Sequence, residues 1–187
     1  MAKRSNFARR RSDYYPTPQA PITKITLKLW KCNKICEPCA GDGRLAISLV
    51  DLGFTIGNWS DKEPKYTQDR FSPIPEMDLF DLTPEHVSNS DLIVTNPPWP
   101  HPGQKGQPTI DMVKHMISLL PTWVLLSSDF AHNVYFNELS KYCVEIYSVG
   151  RVSWQDNGVS GKDNAAWYHF DKNHTGETKF SGNPGKV

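Results

Sequence analysis

Four consecutive residues, Asn96-Pro97-Pro98-Trp99, carry the most specific chemistry in the sequence. The Asn96 side-chain oxygen and the Pro97 carbonyl are two hydrogen-bond acceptors on one turn. Two prolines stiffen that turn and hold both acceptors in place. Such a pair can take both N–H groups of an amine or amide whose lone pair is delocalised into a ring or carbonyl. Taking them pulls the nitrogen toward tetrahedral geometry and makes a poor nucleophile a usable one. The face of Trp99 offers a stacking platform for a base swung out of its helix. The competing reading is a tight turn that caps a strand, with Trp99 in the core.

A second constellation lies upstream, at Glu37-Pro38-Cys39-Ala40-Gly41-Asp42-Gly43. Gly41 and Gly43 let the backbone turn sharply and approach a ligand with no side chain between them. A structural turn explains a lone GxG about as often as a ligand does, but three acids join it here. Glu37 ends the preceding strand. Asp61 follows the next strand, where ribose hydroxyls are gripped in doubly wound folds. Asp78 precedes Leu79 and Phe80, which suits an adenine ring that needs one acceptor and an apolar slot. No GxGxxG is present, and Asp42 puts a negative charge into the loop. That opposes a pyrophosphate and favours a cofactor with a positive or zwitterionic end.

Both loops must be positioned by strands. Lys34 to Glu37, Phe54 to Trp59, Asp91 to Thr95, Trp123 to Ser127, Cys143 to Val149 and Asn164 to Phe170 read as strands. Arg44 to Leu52, Thr109 to Leu120 and Ala131 to Lys141 read as helices, and Ile22 to Trp30 as a short one. Residues 14 to 21 hold three prolines and read as extended, and residues 64 to 90 as loop-rich. Strands alternating with helices imply a mainly parallel sheet covered on both faces, whose ligands bind beyond the carboxyl ends of the strands. The loops after Glu37 and Thr95 sit at such ends.

At 187 residues the chain is long enough for one α/β domain. The expected division is a basic arm over 1 to 13, a single domain over 14 to 171 and a fraying tail over 172 to 187. The longest apolar runs are far short of a membrane span, the N-terminus does not read as a secretory signal, and four cysteines are too few for a disulfide scaffold. A soluble cytoplasmic protein is the expectation. Lys3, Arg4, Arg9, Arg10 and Arg11 carry five charges in the first twelve residues. Removing these five from 21 Lys and Arg leaves 16 against 20 acids, a net of −4. A basic arm on an acidic body is the form in which chains often meet a phosphate backbone. It is also the form of a solvated terminus.

EPCAGDGRL resembles the first motif of S-adenosylmethionine-dependent methyltransferases, SDKEP their second, MDLFDL their third and NPPW their fourth. The order and spacing match, and YPTP resembles the segment that closes over the cofactor's methionine end. The resemblance covers roughly residues 14 to 170, and GKDN before WYHF resembles the tail of small phage-type adenine methyltransferases. It implies a Rossmann-like class I methyltransferase fold with seven strands. It also implies S-adenosyl-L-methionine at Tyr15, Pro16, Thr17, Glu37, Pro38, Ala40, Gly41, Gly43, Asp61, Lys62, Asp78, Leu79 and Asn96. Catalysis falls to Asn96, Pro97, Pro98 and Trp99, and substrate contact to Trp99, His101, Lys105 and Lys162. The NPP[YFW] tetrad marks methylation of a planar nitrogen, either the exocyclic amine of adenine or a glutamine amide.

Other signals compete. Cys32, Cys36 and Cys39 have the CxxxCxxC spacing of an iron–sulfur site, and Cys143 or a histidine could complete a zinc site. Cys36 falls inside a strand and Cys39 inside the glycine loop, so the three thiols should not converge. Small buried hydrophobes are the favoured reading, and no metal is expected. His115 and His169 read as structural, and His101 as a loop residue near the tetrad. Too few residues follow the tetrad for a large target-recognition domain. Recognition falls to residues 100–108, residues 151–163 and the arm, which implies a short or relaxed site. The reading is an adenine methyltransferase acting on nucleic acid, DNA before RNA. A glutamine methyltransferase and a non-catalytic cofactor-binding protein remain the alternatives.

Overall fold

The computed structural model describes residues 15–29, 34–65, 73–99, 107–154, 161, 164–183 and 185. Seven strands form one sheet: β1 (Lys34–Glu37), β2 (Thr55–Trp59), β3 (Leu92–Thr95), β4 (Thr122–Ser127), β5 (Cys143–Arg151), β6 (Asn164–Phe170) and β7 (Lys179–Ser181). Their order is β2-β1-β3-β4-β6-β5-β7. The helices are α1 (Gln19–Thr26), α2 (Arg44–Asp51), α3 (Pro84–Val87), α4 (Gln107–Leu119) and α5 (Asn137–Ser140). None of the helices among the described residues is long and apolar enough to cross a membrane.

The central strands alternate between two apolar layers because successive side chains leave opposite faces of a strand. Ile35, Leu92, Val94, Trp123, Leu125 and Trp167 face α1 and α2 through Ile22, Ile25, Leu45 and Leu49, together with Leu29 just past α1. Cys36, Ile93, Val124, Leu126, Tyr168 and Phe170 face α4 through Ile110, Val113, Met116 and Ile117. Helices therefore cover both faces, and β1, β3 and β4 are buried runs of the kind a two-sided sheet requires.

The sheet is mixed: it is mainly parallel, as expected, but not purely so. Strands β2, β1, β3 and β4 pair in parallel, but β6 runs antiparallel to both β4 and β5. The return from β5 to β6 has no crossover helix among its described residues, and a parallel return needs a crossover.

Four expectations change. Helix α1 begins at Gln19, so the extended segment stops at Pro18 and Pro21 lies in the first helical turn. An N–H there has no intrahelical acceptor, so its absence is harmless. The helix expected over Ala131 to Lys141 is broken into 3₁₀ turns at Ser128–His132 and Val134–Phe136 followed by α5. Asn133 breaks it: its backbone is extended and its amide donates to the carbonyls of Asp129 and Phe130. The loop-rich stretch contains a 3₁₀ turn at Leu79–Asp81, the helix α3 and an isolated bridge between Asp61 and Glu76. The tail expected to fray instead supplies β7, which pairs in parallel with β5.

Histidines 115 and 169 have structural settings. His115 Nε2 lies 3.0 Å from the Leu82 carbonyl. The His169 ring stacks on Trp123 at 4.6 Å between centroids. Cys36 and Cys143 are buried and unpaired, and burial pushes their thiols up to about 12. Cys39 is half-buried and its thiol is also pushed up by burial. Such thiols stay protonated and behave as small hydrophobes. Among the described residues no group of three or more His, Cys, Asp or Glu side chains is placed to hold a metal. Cys32 lies outside the described residues.

Candidate active site

Strands β2, β1 and β3 are neighbours and parallel, so the loops after Trp59, Glu37 and Thr95 lie side by side at one end of the sheet. Three of the predicted motifs are brought together in this way. The Ser60 N–H donates to the Glu37 carbonyl and the Ala40 N–H to the Ser60 carbonyl, each at 3.0 Å, which ties the first loop to the end of β2. Gly41 and Gly43 have φ of 59° and 78°, a left-handed backbone that side chains disfavour. That geometry folds the loop back so that the Gly43 N–H reaches the Ala40 carbonyl at 2.7 Å and α2 can start. Pro38, Ala40, Gly41 and Gly43 are buried, as is Leu79 beyond Asp78.

Asp61 organises this corner. Its Oδ2 accepts the Gly41 N–H at 2.7 Å and its Oδ1 the Glu63 N–H at 2.7 Å. Its own backbone bonds on both sides to the strand-like stretch at Pro75 and Met77. The carboxylate therefore fixes the glycine loop, a task not apparent from its position in the sequence. Asp61→Ala leaves two backbone donors without their acceptor. It is expected to destabilise the protein by about 2 kcal/mol, the scale of hydrogen bonds to a charged group. Urea titration of Asp61→Ala beside Asp61→Asn measures this, and an unchanged midpoint for Asp61→Ala would remove Asp61 from that role.

Asp78 caps the 3₁₀ turn by accepting the Phe80 N–H at 3.0 Å, and its Oδ2 meets Lys62 Nζ at 2.7 Å. The Lys62 ammonium, and then the Phe80 amide, hold its carboxyl below the usual range. Lys62 is thereby placed across from Asp78 at the rim rather than in the floor of the site.

Glu37 forms that floor. It is 1% exposed, and its Oε2 has no partner among the described residues. Burial raises its pKa well above the ordinary value, the Ala46 amide of α2 opposes the shift, and the charges of Asp42 and Asp61 add to it. A buried carboxyl crowded by two carboxylates and left with one orphaned oxygen fits a cationic ligand. The donor set therefore fits S-adenosylmethionine, whose ammonium and sulfonium would answer these acids.

The tetrad stands beside it. Asn96 Nδ2 donates to the Tyr15 carbonyl at 3.3 Å and to Thr17 Oγ1 at 3.2 Å. Both amide hydrogens are thus committed to the Tyr15-Pro16-Thr17 segment, and Oδ1 is the acceptor left for a ligand. Pro97 is buried and Pro98 exposed. Trp99 donates from Nε1 to the Leu125 carbonyl at 3.0 Å and packs against both core layers. Trp154 meets it edge-on at 5.1 Å and also lies 6.4 Å from the Tyr15 ring. Trp99 is thus part of the core, and Trp154 completes an aromatic cluster that links it to the Tyr15 segment. Its segment, 151–163, is among those expected to read substrate, but nothing in its spacing singles Trp154 out. His101, Lys105 and Lys162 lie outside the described residues, as do the arm and the 100–106 loop.

Neither a family model nor a curated protein matches the chain. Solved structures do. The methyltransferase subunit of a type I restriction-modification system from Streptococcus thermophilus superposes with a TM-score of 0.63 at 13% identity, covering 90% of this chain and 47% of that one. A putative RNA methyltransferase from Pyrococcus horikoshii gives 0.63 at 11% identity, covering 90% and 92%. The M protein of the type I restriction enzyme EcoKI gives 0.53 at 14% identity, covering 82% and 43%. The chain spans about half the length of the two restriction-modification proteins. At these identities the likeness concerns the fold alone: the sheet and its helices superpose on those of these proteins.

Proposed function

We propose that this chain is an S-adenosylmethionine-dependent methyltransferase acting on the exocyclic amine of adenine in DNA, within a short or relaxed recognition sequence. The observation that carries the reading is the orientation of Asn96. Its amide hydrogens are taken by the Tyr15 carbonyl and the Thr17 hydroxyl. Its oxygen is therefore the half of the amide left to accept, which is what a planar amine requires.

The residues present divide the work. Glu37, the glycine loop and Asp61 hold the cofactor's amino-acid and ribose portions, and Asp78 with Leu79 takes the adenine. Asp78 accepts the adenine amine while Lys62 keeps its carboxylate ionised. Bound S-adenosylmethionine supplies a methyl group on a sulfonium, which leaves with its electron pair as a neutral thioether. Asn96 Oδ1 and the Pro97 carbonyl each accept one N–H of the target amine and localise its lone pair toward that methyl. No general base is needed beforehand, because the methylated nitrogen is cationic and releases its proton afterward to water. Trp99, locked by its bond to the Leu125 carbonyl, offers a rigid face to the target ring at little entropic cost.

Preference for nucleic acid rests on the basic arm in the sequence. Preference for DNA over RNA rests on the likeness to restriction-modification subunits, although the Pyrococcus protein is described as a putative RNA methyltransferase. Nucleoside mass spectrometry of DNA and RNA from cells expressing the chain tests both preferences. N6-methyladenine is expected in DNA, dependent on Asn96. Methyladenine confined to RNA would move the substrate, and label transferred from S-adenosylmethionine only to protein would move the reaction to a glutamine amide.

A further inference from the structure

Helix α1 carries the segment that grips Asn96, and the far end of the chain holds α1. Lys24 on α1 is 8% exposed, yet its ammonium's partners among the described residues are neutral oxygens: the Val149 carbonyl at 2.9 Å and Asn183 Oδ1. Asn183 Oδ1 also accepts the Gly185 N–H at 3.0 Å. Just past the end of α1, Lys28 pairs with Glu145 on β5 at 2.5 Å and lies 4.5 Å over the Tyr147 ring. Glu145 in turn accepts the Ser181 hydroxyl. Room for this arrangement is built into β5. Gly150 has φ of 85°, and a Cβ there would come within 2.5 Å of Asn183 Nδ2. A buried ammonium is tolerated only when its donors are matched, so Lys24 fixes where α1 lies relative to the C-terminal segment.

From Lys24 the connection to the tetrad is short. Just before the first turn of α1 stand Pro18 and Thr17, and the Thr17 hydroxyl with the Tyr15 carbonyl receives the Asn96 amide. The apolar face of α1 sets its distance from the sheet through Ile22 and Ile25, with Leu29 just beyond its end. Apolar contacts are not directional, whereas the Lys24 and Lys28 bonds resist sliding along the helix axis. We infer that residues Lys179–Asn183 are a strap that positions Tyr15–Thr17 on Asn96, with Lys24 and Asn183 as positioning residues for methyl transfer. The catalytic part of this inference rests on the proposed reaction. The mechanical part does not.

The experiment uses the full chain. Asn183→Leu removes the acceptor facing Lys24, and Asn183→Asp restores one. Hydrogen exchange read by mass spectrometry on residues 15–29 is expected to quicken about tenfold in Asn183→Leu, to return in Asn183→Asp, and to stay unchanged in α2. If Asn183→Leu fails to fold, Ser181→Ala, which removes the hydroxyl that bonds Glu145 and lies 3.5 Å from Lys28 Nζ, is measured in the same way. Unchanged exchange over 15–29, or equal quickening in α2, overturns the strap. On turnover, Asn183→Leu and Thr17→Val are each expected to lower kcat about five- to tenfold, and the double variant no more than the worse single one. Additive losses would show that Asn183 contributes stability alone and would overturn the positioning role. A wild-type chain with no methylation would refute the proposed reaction and leave the exchange result to decide the strap.

Discussion

Asn96→Ala is expected to bind S-adenosylmethionine within about twofold of the wild type while turnover falls about 10²–10³-fold, the range for removing one preorganised group aimed at a transition state. The two halves of the Asn96 amide have separate tasks. Its nitrogen is spent on the Tyr15 carbonyl and the Thr17 hydroxyl, and its oxygen is the half left to accept from a ligand. The oxygen matters most as the target nitrogen becomes tetrahedral, so its loss falls on kcat rather than on binding. Asn96→Asp separates the halves. A carboxylate can still accept from the amine, but it meets the Tyr15 carbonyl with no hydrogen to offer. That repulsion is expected to push the Tyr15–Thr17 segment away and to weaken cofactor binding as well as turnover. Isothermal titration with both variants, beside single-turnover methylation of DNA, measures the split. An Asn96→Ala chain with near-normal turnover would refute the proposed chemistry.

The sequence makes the local signals legible and hides the long-range ones. The glycine loop, the ends of β1 and β3 and the apolar alternation of the central strands follow from residue type and spacing. So does the placement of Glu37, because a strand that runs into a glycine turn leaves its last side chain at the mouth of the sheet. What spacing leaves out is what distant residues decide. Asp61 reads as a ribose ligand from its place after β2, and its oxygens also fix the glycine loop by accepting the Gly41 and Glu63 N–H groups. The polar, glycine-rich stretch after Lys172 reads as a tail. It is ordered as β7 because Glu145 and Lys24 supply partners from elements far away in the chain. Trp154 joins the Trp99 cluster only because the β5–β6 return carries it there. Asn133 is a local signal that helical periodicity outweighed: a competing side chain splits the expected helix into turns.

Glu37→Gln is expected to weaken S-adenosylmethionine binding by about 3 kcal/mol, on the order of 100-fold, because a charge that would answer the cofactor's ammonium is lost in a buried setting. The fold should survive, since a glutamine oxygen can still accept the Ala46 amide. The pH behaviour gives the assignment a second signature. Burial, reinforced by Asp42 and Asp61, raises the pKa of Glu37 well above its ordinary 4.5 in the folded chain. Between 4.5 and that raised value the folded state keeps a proton that the unfolded state has released. Stability contributed at this position is therefore full below about 4.5 and is lost as pH rises toward the folded value. Glu37→Gln removes this loss, so the variant should gain stability relative to wild type as pH rises through that window. A bound cation favours the carboxylate and pulls the pKa back down, so cofactor binding to the wild type should release a proton, and binding to Glu37→Gln should release none. Calorimetry in buffers of different ionisation enthalpy reads that proton directly. Equal proton release by both chains would place the cofactor's charged end away from Glu37, whatever the affinities turn out to be.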